Sequence, residues 1–433
     1  MRKINIGLIG LGTVGQCVAR CILEKNAYLR ERAGVHLNLK KVCEINSGKA
    51  RKLHLPPGLV STKVSDILDN PEIDIIVELI GGIHPAKDFI LCALKNNKHV
   101  VTANKALLAE EGKDIFELAQ KKSLSLGFAA SVGGGIPIIK AIREGLIANR
   151  IESILGILNG TSNFILTEMY DKGCDFRSAL KVAQQKGYAE KNPRFDIEGI
   201  DTAHKLLVLV LLGFGYRANI KNIYIEGISN VSLKDILYAK ELGYAIKLLA
   251  VAKKEKNKLE LRVNPTLIPE RHLLSSVRGI NNAVYVNGDM VGEEIFYGQG
   301  AGQMPAASSV MSDIVDVAKV IASGKPGAVG KIFYNSKIKG LLPISKVESR
   351  YYIRFMAIDK PGVFAKIAGV LGKKNISIAL VNQKERRRAR VVPVVIITHE
   401  AYEKNLRQAL DIIERLDVVR EKSVAIRIEE LTT

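Results

Sequence analysis

Glu190, Asp196, Asp201 and Lys205 fall close together in GYAEKNPRFDIEGIDTAHK, and their types suit proton transfer. Asp201 and Lys205 are four apart and share a helical face. Such pairs are common on surfaces. Here, however, Lys205 leads into seven apolar residues, Leu206 to Leu212, so the helix is largely buried. A lysine at that point must line a cleft or hold a partner. Desolvation lowers the pKa of an ammonium and lets it exchange protons near neutrality. His204 reads as a packing or surface residue. A second lysine, Lys105 in VTANKALL, stands just past a strand at a helix start, where the dipole disfavours a cation. Ligands bind beyond the carboxyl ends of parallel strands.

Gly10, Gly12 and Gly15 fit G-x-G-x-x-G between the apolar run Ile4 to Ile9 and a helical pattern, VARCILEKN. In that setting the first glycine allows the turn, the second admits a pyrophosphate, and the third lets helix and strand pack. The helix N-terminus offers N–H groups to the phosphates. Glu44 ends the second strand, where a carboxylate accepts the ribose hydroxyls of NAD. Lys49, Arg51 and Lys52 follow and suit the 2′-phosphate of NADP, so both cofactors stay open. Two more glycine turns, SVGGGIPIIK and YGQGAGQMPAASSV, bring bare backbone close to a neighbour or are loops with positive φ.

These groups need elements to hold them. The first 150 residues alternate apolar runs with helical spacing. NLKKVCEI, IDIIVELIGG, KHVVTANK and LSLGFAA read as the second to fifth strands, with PAKDFILCALKNN and EEGKDIFELAQKK as helices. This is a βαβ series and hence a Rossmann-type, doubly wound parallel sheet. From Ile151 the order becomes mixed α+β. IESILGILNGTSNFILTEM reads as strand with a turn at Asn159-Gly160, and ELGYAIKLLAVAKK as helix before the strand LELRVNPTLI. SALKVAQQKGYAE and DTAHKLLVLVLLGFG read as helices, and PAASSVMSDIVDVAKVIASG as a long helix to Gly324. SGKPGAVGK reads as linker, and the last 80 or so residues as β-α-β-β-α-β, the ferredoxin-like order. The expected division is a cofactor domain over 1–150, its last helix completed by 303–322. A catalytic and dimerisation domain covers 151–322, a linker 323–349, and a small domain 350–433.

Composition narrows the class. The 433 residues are 47% hydrophobic and 25% charged, as in soluble globular proteins. No apolar run approaches the roughly 18 residues of a membrane span. Five cysteines without a C-x-x-C pair argue against disulfides or zinc and for a cytoplasmic setting. The net charge of +20 favours anions. Lys384, Arg386, Arg387, Arg388 and Arg390 sit between strand-like runs and read as a solvated hairpin loop, so no nucleic-acid partner is expected.

Together VVTANKALLA, SVGGGIPIIKAIREGL, LNGTSNFILT and GYAE followed by DIEGIDTAHKL closely resemble homoserine dehydrogenase, in the form with a C-terminal ACT domain. The resemblance spans essentially the whole chain. It implies NAD(P)-dependent interconversion of L-aspartate 4-semialdehyde and L-homoserine, on the route to threonine, methionine and isoleucine. It implies Lys205 as proton donor, Lys105 beside nicotinamide and substrate, and Asp201 orienting Lys205 and substrate. Glu190 would hold the substrate ammonium, with Asp196, Asn159 and Thr161 in the same polar network. Gly10, Gly12, Thr13, Val14, Gly15, Glu44, Gly81, Lys105, Gly187 and Gly302 would meet the cofactor. A sodium ion on the carbonyls of Val132, Gly134 and Ile136 is put in doubt because Ala129 replaces the family's usual Glu. Asn192-Pro193 replaces a frequent Asp-Pro. The tail AIDKPGVFAKIAGVL implies an ACT domain, with threonine as effector at Asp359, Pro361, Gly362, Asn382 and Gln383, and a homodimer or homotetramer.

Overall fold

The computed structural model describes residues 2–324, 331–383 and 390–430. The linker glycines within 325–330 and the basic residues Lys384, Arg386, Arg387 and Arg388 lie outside the described residues.

In chain order the elements begin with β1 (Lys3–Ile9), α1 (Thr13–Glu24), β2 (His36–Cys43), β3 (Val60–Ser61), β4 (Ile75–Glu78) and α2 (Ala86–Lys95). Then come β5 (His99–Thr102), α3 (Lys105–Lys121), β6 (Leu126–Gly127), β7 (Ile151–Ile157), α4 (Gly160–Lys172), α5 (Phe176–Gln185) and α6 (Ile200–Phe214). They continue with α7 (Leu233–Glu241), β8 (Tyr244–Glu255), β9 (Lys258–Pro269), β10 (Asn281–Gly288), β11 (Gly292–Gln299) and α8 (Gln303–Ser323). The tail holds β12 (Glu348–Ile358), α9 (Val363–Lys373), β13 (Ile378–Asn382), β14 (Val391–Thr398), α10 (Glu403–Ile413) and β15 (Val424–Ile428).

Two compact units share the chain. The first comprises 1–158, 201–222 and 280–336. Its parallel sheet runs β3-β2-β1-β4-β5-β6, the strand order of a dinucleotide-binding fold. Strand order reverses between β1 and β4, which places a crevice beyond their carboxyl ends. Ile4, Ile6 and Leu8 of β1 and Leu37 of β2 pack with Val18 and Ile22 of α1 and Val310, Ile314 and Val317 of α8. Each such side chain contributes about 1.5–3 kcal/mol when fully buried. The helix α8 thus completes the cofactor fold from far along the chain. The short β3 makes KHVVTANK and LSLGFAA the fifth and sixth strands rather than the fourth and fifth. A second sheet in this unit is antiparallel, β11-β10-β7.

The second unit comprises 159–200, 223–279 and 337–433. Two expectations fail here. TSNFILTEM is not strand: Asn159 caps it, its side chain accepting from Ser162 N at 2.8 Å, and α4 follows. AIKLLAVAKK is not helix but β8, buried across nearly its whole length. A strand covered on both faces loses the alternation that marks strands, so its apolar run looks helical. The β-α-β-β-α-β order of the tail is confirmed, with β15 beside β12 and β12 beside β14. Its sheet does not stop there. β15 also pairs in parallel with β9, Thr266 opposite Arg427 and Leu267 opposite Ile428.

Candidate active site

The turn after β1 shows why glycines stand there. Gly10 has φ 99°, and a Cβ on it would lie 3.0 Å from Leu79 O. A Cβ on Gly15 would lie 2.1 Å from Gly10 O, so nothing larger fits between turn and helix. Gly12 faces open space. It begins α1 without a side-chain cap or an acidic residue in the first turn, leaving bare N–H groups around Thr13 and Val14 for an anion. Glu44 lies beside this turn, buried, with Oε2 accepting from Leu11 N at 2.7 Å and Oε1 from Asn46 N at 2.9 Å. Burial alone would raise its pKa. The Asn46 and Leu11 N–H groups and the Lys49 ammonium outweigh burial and hold it below the usual range. Arg51 is exposed nearby in sequence, and the Lys52 side chain lies outside the described residues.

The two expected lysines lie in the same unit. Lys205, on α6, is buried. Its Nζ donates to Leu158 O at 2.6 Å and to Asp201 Oδ2 at 2.7 Å. Lys105 Nζ reaches the other oxygen, Asp201 Oδ1, at 3.1 Å. One carboxylate therefore sits between two ammonium groups, leaving a surplus positive charge. Lys105 is about one-third exposed, with 36% of its side chain accessible. α6 is apolar nearly all round, which is what buries this polar corner.

Lys105 owes its place to a polar network that sequence reasoning missed. Glu78 ends β4, and its Oε1 accepts from Ile80 N at 2.8 Å and Gly81 N at 3.2 Å. Its Oε2 accepts from Thr102 Oγ1 at 2.6 Å. Thr102 Oγ1 accepts from Asn104 N, and Asn104 caps α3 at Leu107 N while its amide donates to Gly82 O. The network sets both the Gly81 turn, with φ 76°, and the helix start bearing Lys105. The available signal was a lone Glu inside an otherwise apolar strand.

The other expected substrate and cofactor residues lie in the second unit, apart from Gly302. Asn159 Nδ2 donates to Asp196 Oδ1 at 2.7 Å, and Ser162 Oγ to Asp196 O at 3.0 Å. Thr161 Oγ1 donates to Tyr188 O at 2.6 Å. This ties the start of α4 to the loop holding Gly187, with φ 73°, and Glu190, whose side chain is exposed. Gly302, in the first unit, precedes α8 with φ 122°.

A cation site needs several oxygens with open lone pairs. Gly134 O already accepts from Ser309 Oγ at 2.6 Å and Ile136 O from Ile138 N at 2.8 Å. Val132 is buried, and Ala129 supplies only an N–H, which donates to Asp313 Oδ2. Ala129 thus brings no side-chain oxygen to a cation, and each of the two carbonyls keeps one lone pair. Among the described residues no group of three or more His, Cys, Asp or Glu gathers as a metal site. In the tail, Asp359, Pro361 and Gly362 form the loop between β12 and α9, and Asn382 ends β13. Gln383 Nε2 lies 3.5 Å from Asp359 Oδ1, so the two ends of the expected effector site meet.

Comparisons with known proteins give the family. Residues 137–315 match the family model described as homoserine dehydrogenase, 10–128 its NAD binding domain, and 351–418 the ACT domain. A homoserine dehydrogenase of Neisseria gonorrhoeae is 45% identical, covering 100% of both chains. The crystal structure of one from Thiobacillus denitrificans superposes with a TM-score of 0.91 at 46% identity, covering 99% of each chain. A hyperthermophilic archaeal homoserine dehydrogenase in complex with NADPH matches at a TM-score of 0.64 and 26% identity, over 73% of this chain and 98% of its own.

Proposed function

The chain belongs to the homoserine dehydrogenase family of NAD(P)-dependent oxidoreductases, and from that premise we propose how its own residues divide the work. When bound, the nicotinamide supplies or takes the hydride. Lys205 holds the proton that the carbonyl oxygen of aspartate 4-semialdehyde must receive. An ammonium has three donors, and Leu158 O and Asp201 take two, so one remains for a substrate oxygen. Lys105 adds a second cation. The surplus charge of the triad favours an alkoxide as it develops. Asp201 keeps both ammonium groups oriented. In the reverse direction Lys205 takes the hydroxyl proton of homoserine.

We assign Glu190 to the substrate ammonium, with Asp196, Asn159 and Thr161 shaping its surroundings. Gly10 to Gly15, Gly81, Gly187 and Gly302 go to cofactor backbone contacts, and Glu44 to the ribose. Threonine is proposed as effector at Asp359 to Gly362 and Asn382 to Gln383, in a homo-oligomer. Threonine titration of activity and size-exclusion chromatography test these two points. The observation that carries the catalytic reading is the carboxylate of Asp201 bridging two lysines at the carboxyl end of a dinucleotide-binding sheet. The test is NAD(P)H oxidation with aspartate semialdehyde. Lys205→Ala should lower kcat about 100-fold or more, the scale of lost acid–base catalysis. A nearly unchanged kcat in a folded variant overturns the role.

A further inference from the structure

One part-buried contact beside the lysine pair has no part in the chemistry above. His204, the residue before Lys205, is buried, and its Nε2 lies 2.7 Å from Glu110 Oε1. A carboxylate only accepts, so the imidazole N–H donates. Glu110 is on α3, the helix that Lys105 begins. That helix leaves helical geometry at the next residue, Glu111, with φ −123° and ψ 15°.

The two sides of this kink are fastened to different elements. Before it, Lys105 meets Asp201 and Glu110 meets His204, both on α6. Arg217, just beyond α6, donates from Nη2 to Glu110 O at 3.1 Å. At and after it, Lys87 of α2 holds Glu111 at 2.8 Å and Asp114 at 3.1 Å. The first turns of α3 are thus pinned to α6 at both ends.

We propose that the Glu110–His204 pair is a positioning strut that sets the approach of Lys105 to Asp201. Lys105 has a long, partly exposed side chain, and an exposed ion pair by itself fixes geometry weakly. The backbone that carries it gains a second hold from this pair, in which the His204 side chain is 4% and the Glu110 side chain 37% accessible. The strut touches no reacting atom. It rests on the reading of Lys105 as part of the proton centre.

The test is steady-state kinetics on the full-length enzyme. His204→Leu and Glu110→Ala should each lower kcat about tenfold or more, since small misplacements of reacting groups are costly. The KM for the cofactor should hold, because the glycine turn is untouched. His204→Gln and Glu110→Gln keep a hydrogen bond and should restore most of the rate. Placed in Lys105→Ala, either disruptive change should cost almost nothing further, as coupled residues are non-additive. The same loss in that background, or a loss that follows thermal stability and is not rescued by Gln, overturns the strut. If Lys105→Ala is itself fully active, the reading of Lys105 fails and the strut with it.

Discussion

The Lys205 centre and the C-terminal module both bury charged side chains, but they balance them differently. In and beside the module the buried carboxylates of Asp235, Glu403 and Glu429 each meet a cation. Asp235 of α7 is fully buried and takes Arg354 Nε at 2.7 Å, Arg354 Nη2 at 3.1 Å and the Tyr352 hydroxyl at 3.1 Å. Glu429 pairs with Arg262 and Lys253, while Glu403 takes Arg427 at 2.7 Å and the Tyr351 hydroxyl at 2.7 Å. Burial pushes the Tyr351 and Tyr352 hydroxyls well up, with Glu403 and Asp235 adding to it. At the lysine centre two cations share one carboxylate, and one of them is part exposed. Closed networks hold a shape. A network with a spare charge and a spare donor is ready to act on something else.

The largest expected effect breaks a closed network. Asp235→Asn leaves Arg354 buried without its counter-ion, and removing one partner of such a pair costs about 3–5 kcal/mol. Chemical denaturation should show the loss in the midpoint, while kcat of the folded enzyme stays within about twofold. The double variant Asp235→Leu/Arg354→Met should regain much of the stability, since apolar replacement of a whole buried pair is often neutral. A change in kcat without a change in stability would erase the contrast between the two regions. For the same reason a deletion of residues 350–433 is a poor probe of regulation. It strips β15 from β9 and takes Glu429 from Arg262 and Arg354 from Asp235. Point changes at Asp359 or Gln383, followed by threonine titration, ask the question without unfolding the second unit.

Next in size, Asp201→Asn sharpens the contrast from the other side. It keeps the shape but removes the negative charge between the lysines. We expect kcat to fall roughly 30- to 100-fold, in the range of a lost electrostatic or proton-transfer contribution. Stability should change by less than about 2 kcal/mol, because Lys205 keeps Leu158 O and Lys105 is partly in water. Full activity with a large drop in denaturation midpoint would make Asp201 an architectural residue like Asp235.

What was legible in the sequence follows the same division. The glycine turn, Lys105, and the four-residue spacing of Asp201 and Lys205 were readable because their constraints are local: a turn, a helix start, one helical face. The Glu78–Thr102–Asn104 network was not, since it depends on β4 and β5 lying side by side, Glu78 opposite Thr102. The pairing of β15 with β9 joins segments far apart in the chain, and no local pattern announces it. β8 was misread for the opposite reason: burial on both faces erased its strand signature. His204 looked like packing, and its partner Glu110 is visible only once α3 and α6 are adjacent.

The smallest expected effect compares two buried aspartates, Asp235 and Asp313, both fully shielded from water. Asp313, on α8, makes no ion pair with an arginine among the described residues. Its Oδ2 accepts from Ala129 N at 2.6 Å, and its Oδ1 meets no hydrogen-bond donor among the described residues. Burial pushes its pKa up from 3.8 to about 6, against the pull of the Ala129 N–H, Lys140 and Arg143. A carboxyl whose pKa rises on folding holds its proton more tightly in the native state. Its stabilising contribution is therefore full below about pH 4 and is lost as pH climbs through about 6. Asp313→Asn should flatten the stability profile across that window. At pH 8 the variant should gain on the wild type, with a ceiling of about 3 kcal/mol set by 1.36 kcal/mol per unit of pKa. Parallel denaturation profiles for the two proteins between pH 4 and 7 would show that Asp313 is as well matched as Asp235, by a partner other than arginine.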